Sequence, residues 1–291
     1  MRPDHHARAA RPPSPASGLV RAALLVLVAS GGTTATAAEP RPGGPERPFG
    51  PGERIDFRIS WAHLLAGRAT LAVLPGEQVG SSVMRFLAEA RSEGPLAWLL
   101  RFRVDDHTTA TWDAEGGYSL RIEKHLREGR AARDQTVSFD PETGTADVSD
   151  AKIPQSRFDV GICPLDVLSA LFVARVRGVE ERGELRLAVF DNGKRYVMGV
   201  RWQGREKLDL PPPFGPGYPT VIVEPQLVEG TGLFVREGRV QVWLTDDGRR
   251  VPVRMRSRVP VGAVSAEMER YQPSPSVPEP EAGPRPSASV D

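Results

Sequence analysis

The sequence predicts an all-β domain, a strongly curved antiparallel sheet with one main α-helix packed against it. Three observations carry this. Apolar and polar residues alternate through most of the middle of the chain, as in strands with one face in a core and one in water. Two turn signals, Asp191-Asn192-Gly193 and Asp246-Asp247-Gly248, each sit between two such stretches. One segment replaces the alternation with helical spacing.

The elements follow in order. In ERIDFRIS, Ile55, Phe57 and Ile59 share a face; in RATLAVL, Ala69, Leu71 and Val73 do. Residues 95–102 read as one or two helical turns. The stretch RVDDHTTATW reads as a strand, and YSLRIEKHL places Tyr118, Leu120, Ile122 and Leu126 together, with Lys124 as the exception. Pro164-Leu165-Asp166 opens a helix that runs to Arg177. Proline suits its first position and an acid its first turn. Leu165, Leu168, Phe172 and Val176 form its apolar stripe, Arg175 and Arg177 suit its C-terminal end, and Gly178 stops it. Beyond it, Leu185, Leu187 and Val189 face Tyr196, Met198, Val200 and Trp202 across the first turn. Val240, Val242 and Leu244 face Val251, Val253, Met255 and Val259 across the second.

The chain ends read differently. Arginines precede a short apolar run, Ala22 to Ala29, and Ala35-Thr36-Ala37 supplies an A-x-A site, the three-part pattern of a cleaved export signal. The expected organisation is therefore a signal over residues 1–38, cut near Ala37/Ala38, and a Pro/Gly linker over 39–48. A single β-rich domain over 49–271 and a disordered Pro/Ser tail over 272–291 complete it. No cysteine follows the apolar run, so no lipid anchor is expected, and no later run is long enough for a transmembrane helix. The expected location is the periplasm. The net charge of +1 argues against a nucleic-acid partner. Cys163 is the only cysteine, which excludes an intrachain disulfide, and its place before Pro164 reads as small and buried.

No catalytic set, metal motif or cofactor fingerprint emerges. Asp105, Asp106 and His107 have the chemistry of an acid–base or metal site, but alternation sends Asp106 to one face and its neighbours to the other. Asp246 and Asp247 read as a charged turn tip. Arg254, Arg256 and Arg258 share a strand face and could hold the phosphates or carboxylates of an anionic lipid or glycan. Where the sheet curls, some of the five tryptophans, Trp61 and Trp243 among them, would line its inner surface and make an apolar groove. Ser169 lies within the helix, with no base signalled nearby.

The segments PFGPGERIDFRISW, HLLAGRATL, RVDDHTTATWD, PLDVLSALF, DNGKRYVMGV and VWLTDDGRRVPVRM occur in an order that resembles the domain-of-unknown-function 3108 family of exported bacterial envelope proteins, over about residues 48–270. The resemblance implies an open or spiral half-barrel, reminiscent of lipoprotein carriers, and implies no catalytic residues. The leading expectation is a non-enzymatic periplasmic protein that binds a lipid, lipid-linked glycan or peptide in an apolar groove. A structural or interaction protein of envelope assembly is the alternative, with envelope proteins as partners. A hydrolase using Asp105, Asp106 and His107 is the third.

Overall fold

The computed structural model describes residues 47–75, 82–94, 103–150, 153–229, 239–258 and 262–277. The expected signal, the short helical run at 95–102 with Trp98, and Val259 lie outside these residues.

The first half of the chain forms β1 (Arg54–Trp61), β2 (Leu64–Leu74), β3 (Val83–Ser92), β4 (Asp105–Asp113), β5 (Tyr118–Glu128), β6 (Ala131–Asp140), β7 (Thr145–Asp150) and β8 (Ile153–Asp159). Helix α1 (Val167–Arg177) follows. Then come β9 (Glu184–Asp191), β10 (Lys194–Leu210), β11 (Gly215–Glu229), β12 (Val240–Thr245), β13 (Pro252–Arg258) and β14 (Ala263–Gln272). They make one sheet in the order β8-β7-β6-β5-β4-β3-β2-β1-β14-β13-β12-β11-β10-β9, antiparallel throughout and not closed into a barrel. The chain starts in the middle, winds out to one edge, crosses through α1 to the other edge, and winds back to pair β14 with β1.

The contacts of α1 show how strongly the sheet curls. The helix touches β3, β4 and β9. Eight strand spacings separate β3 from β9, roughly 38 Å in a flat sheet, while a helix is only about 10–12 Å across. One helix meets both only if the sheet wraps around it. This explains why α1 is not one-sided: Val167, Leu168, Ala170, Phe172, Val173, Ala174 and even Arg175 are buried. The predicted stripe is therefore real but too narrow, because the helix has core on nearly all sides.

The helix starts later than predicted. Pro164 and Leu165 are extended, and Leu165 pairs in parallel with Val189 at the β9 edge. Asp166 is the N-cap and accepts the amides of Leu168 and Ser169 at 2.8 and 2.9 Å. Its other oxygen accepts the Ser119 and Ser169 hydroxyls at 2.6 and 2.5 Å. Burial pushes this carboxyl above its usual range, and these four donors oppose the shift. Gly178 ends the helix as predicted, with its N–H on the Ala174 carbonyl and φ of 68°.

Three rings hold α1 to the sheet. Phe172 stacks on Phe86 at 3.8 Å and meets Phe49 edge-on at 5.0 Å. At the helix's end, the Arg175 guanidinium grips the buried Glu53 carboxylate with both forks, at 2.6 and 2.9 Å, and Tyr271 donates to the same carboxylate at 3.0 Å. Burial pushes the Tyr271 hydroxyl well up. Residues 272–277, assigned to the tail by composition, include packed chain: Gln272 ends β14, and buried Ser274 donates to the Pro51 carbonyl at 2.8 Å.

Candidate functional site

Where α1 ends, the wrapped sheet is still open. Its inner face there is built by β10, β11 and β12, with Trp202 opposite Val223 and Val221 opposite Leu244. These four side chains and Val179 floor a cavity of about 290 Å³. A bulge between Trp202 and Gly204 bends β10 at this point. The rim is charged. Arg205 pairs with Glu181 at 2.9 Å and with Asp246 at 2.8 Å. Asp247 accepts the Thr245 hydroxyl at 2.6 Å and the Arg249 guanidinium at 2.7 Å. Burial pushes the Asp247 carboxyl up, but these donors outweigh it and hold the group below the usual carboxylate range. Arg250 donates to the Arg175 carbonyl at 3.0 Å, which ties the turn to the helix end. The result is a cavity with apolar side chains at its base and fixed charges at its rim.

A second polar assembly lies inside the wrapped sheet. Thr108, Lys124, Gln135 and Asp150 are successive register partners across β4 to β7, and all are buried. Lys124 pairs with Asp191, and Arg133 bonds to Asp150 at 2.8 Å and to Asn192 at 2.7 Å. These bonds fasten the β9–β10 turn to strands of the opposite wing. The inward Lys124 that interrupts the apolar alternation of YSLRIEKHL is the sequence trace of this clasp. The rest of it depends on residues far apart in sequence, which no local pattern reveals.

A family model described as a protein of unknown function (DUF3108) matches residues 56–269, well over half of the chain. The chain belongs to the DUF3108 family. No curated protein matches this DUF3108 chain. Among solved structures, it is similar to the β-barrel-like DUF1849 protein of Brucella abortus, with 11% identity and a TM-score of 0.50, over 77% of this chain and 98% of the other. That likeness shows the fold alone. A Bacteroides fragilis protein, described as exported and of YmcC-like fold, matches at 10% identity and a TM-score of 0.33, over 77% of this chain and 97% of its own. The Chlamydia trachomatis hypothetical protein CT021 matches at 8% identity and a TM-score of 0.34, over 79% and 93%. No helix among the described residues is long and apolar enough to cross a membrane.

The DUF3108 fold scatters most of the residues that the sequence singled out. Trp61 shares the inner face with Ile59 and Val264, whereas Trp243 faces outward between Val242 and Leu244. The two do not line one groove. Trp243 instead lies under the Arg254 guanidinium, 5.7 Å from its ring centre, and donates to Glu206 at 2.7 Å. Arg254, Arg256 and Arg258 share the outer face as expected. Asp246 and Asp247 join the cavity rim, and Asp247 bonds back to the amides of its own turn. Cys163 is exposed, not buried, because its segment runs over the surface in a left-handed turn at φ 56°. Leu120 is looser than predicted, and Ser119 is the buried residue. A bulge opposite Thr111 and Trp112 shifts the alternation and aims Ser119 at Asp166.

Asp105, Asp106 and His107 do not converge. Asp105 pairs outward with Arg91 at 3.1 Å, and His107 meets Glu89 at 3.1 Å. Asp106 points inward and is 1% exposed. One of its oxygens accepts the Arg127 amide at 2.7 Å, and the other has no hydrogen-bond partner among the described residues. No group of three potential metal ligands gathers among the described residues.

Asp106 makes stability depend on pH. Burial raises its carboxyl to about 6, against about 3.9 in an unfolded chain. The native state therefore binds the proton more tightly, and the group's penalty grows as pH rises from about 4 to 6, then stays complete. Asp106→Asn keeps an acceptor for Arg127 and removes the charge. It should stabilise the protein at pH 7.5 by about 1–2 kcal/mol and lose that advantage at pH 4. Urea unfolding of both proteins at the two pH values checks this. A difference that does not change with pH would contradict it.

Proposed function

We propose that this DUF3108 chain is a non-enzymatic periplasmic envelope protein that binds a short apolar group, a peptide side chain or the end of an acyl chain, in the cavity on β10–β12 beyond the C-terminal end of α1. The export pattern at the start of the chain supports the location. The observation that carries the binding reading is the pit itself: Trp202, Val221, Val223 and Leu244 at the base, and paired charges at the rim. Its volume of about 290 Å³ stands at the bottom of the usual range for small-molecule sites, about 300–1,000 Å³. With α1 filling the neighbouring part of the concave face, the pit suits a chain end or a side chain better than a whole lipid. The outward Asp105 and His107, set against the inward Asp106, favour binding over hydrolysis.

The alternative, an interaction protein of envelope assembly without a small ligand, is favoured by the filled concave face. One substitution separates the two. Val221 is half-buried on the cavity floor, so Val221→Trp fills the pit with little change to the sheet. Titration with the fluorescent probe 1-anilinonaphthalene-8-sulfonate should give saturable binding to the parent, weakened at least about tenfold in the variant, a loss of about 1.4 kcal/mol. Equal binding by both proteins would remove the cavity as the site and leave the interaction reading.

A further inference from the structure

The outer face of the sheet carries a feature that neither the cavity nor the fold requires. Arg58 on β1 lies directly opposite Arg68 on β2, and Arg68 directly opposite Arg91 on β3. Three like charges in one cross-strand row are unfavourable by themselves. Carboxylates relieve two of them: Arg68 pairs with Glu93 and Glu269, and Arg91 with Asp105. Arg58 has no ion pair among the described residues. Its neighbour on the other side is Glu267, which is already paired with Arg254 at 3.2 Å. One row along, Ser60 and Ser265 are register partners joined through their hydroxyls at 2.9 Å, and Ser265 lies opposite Arg256. Arg256 is exposed and likewise has no ion pair among the described residues.

Two guanidiniums with no ion pair among the described residues thus lie on either side of a pair of hydroxyls on a sheet face, two strand spacings apart across the sheet and one row apart along it, roughly 12 Å. Arginine side chains reach across such a gap, and their forks match the oxygens of a phosphate. We propose that Arg58 and Arg256, with Ser60 and Ser265 between them, form a docking site for the phosphate headgroups of an anionic membrane surface. The site lies on the face opposite the cavity, so a protein held there keeps its pit free. An extended sheet face suits a planar array of headgroups, with exposed Arg258 continuing the same face as a further cation.

The test is partition of the purified full chain onto vesicles of phosphatidylglycerol and phosphatidylcholine in equal parts, at low salt. Each basic side chain near such a surface contributes about fivefold to partition, so Arg58→Ser with Arg256→Ser should weaken it about 25-fold. Raising the salt should shrink the difference. Both residues are exposed, and an unchanged thermal melt checks that the variant folds. Arg157→Ser removes an exposed arginine of β8 that is paired with Asp147, and it should change partition little. Equal partition of parent and double variant would overturn the proposal, as would an equal loss in Arg157→Ser or undiminished binding to pure phosphatidylcholine. Saturable binding of inorganic phosphate without vesicle binding would overturn the membrane assignment.

Discussion

Replacing Arg175 by alanine is expected to destabilise the protein by about 3–5 kcal/mol, because it strips a buried carboxylate of its counter-charge. Arg175 and Glu53 are 1% and 2% exposed and bond through both forks. Removing the guanidinium leaves Glu53 with Tyr271 as its remaining side-chain donor among the described residues and empties the space against Phe49 and Phe172, whose ring centres lie 4.9 and 5.5 Å from it. Urea unfolding measures the loss. Arg175→Met with Glu53→Gln should cost less than the single change, since no unpaired charge is then buried. A single substitution costing under about 1 kcal/mol, the usual surface value, would mean that the pair does not hold the helix to the sheet.

Phe172→Ala is the second large effect, again about 3–5 kcal/mol, for a different reason: it opens a cavity where three rings meet. Phe172 is fully buried against Phe86 and Phe49, one from β3 and one from the chain leading into β1. The surroundings are sheet backbone and helix, which collapse poorly into the space. Equilibrium unfolding checks the magnitude. A small loss would show that the helix packs more loosely than its ring contacts imply.

Much of this architecture was legible in the sequence, and the reasons are local. Period-two alternation marks strands because one sheet face is wet, and Asp191-Asn192-Gly193 marks its hairpin because Asn192 and Gly193 take the positive φ values, 49° and 73°, that the turn needs. Helix α1 was legible from its spacing and from Gly178. What stayed hidden depends on partners distant in sequence. Arg175 reads as a cation complementing the helix end, yet it is buried, because Glu53 arrives from 122 residues away. The cap at Asp166 depends on a bulge in β5 that turns Ser119 inward. The tryptophans point to an apolar groove, but among the described residues only Trp202 of them lines the cavity, and its charged rim comes from residues distant in sequence. Trp202 lines the pit only where α1 stops short of β10–β12. Trp243 was partly legible: its place between Val242 and Leu244 already sends it outward.

If α1 is a fixed filling of the wrapped sheet, a ligand is confined to the pit beyond the helix end. Amide hydrogen exchange across Leu168 to Ala174 in the wild-type protein decides whether it is. If the helix is fixed, these amides exchange only when the whole domain unfolds, with an opening free energy equal to that from urea unfolding. Exchange through a local opening of much lower free energy would contradict the account, since α1 would then be a displaceable lid and the full concave face would be open to a lipid.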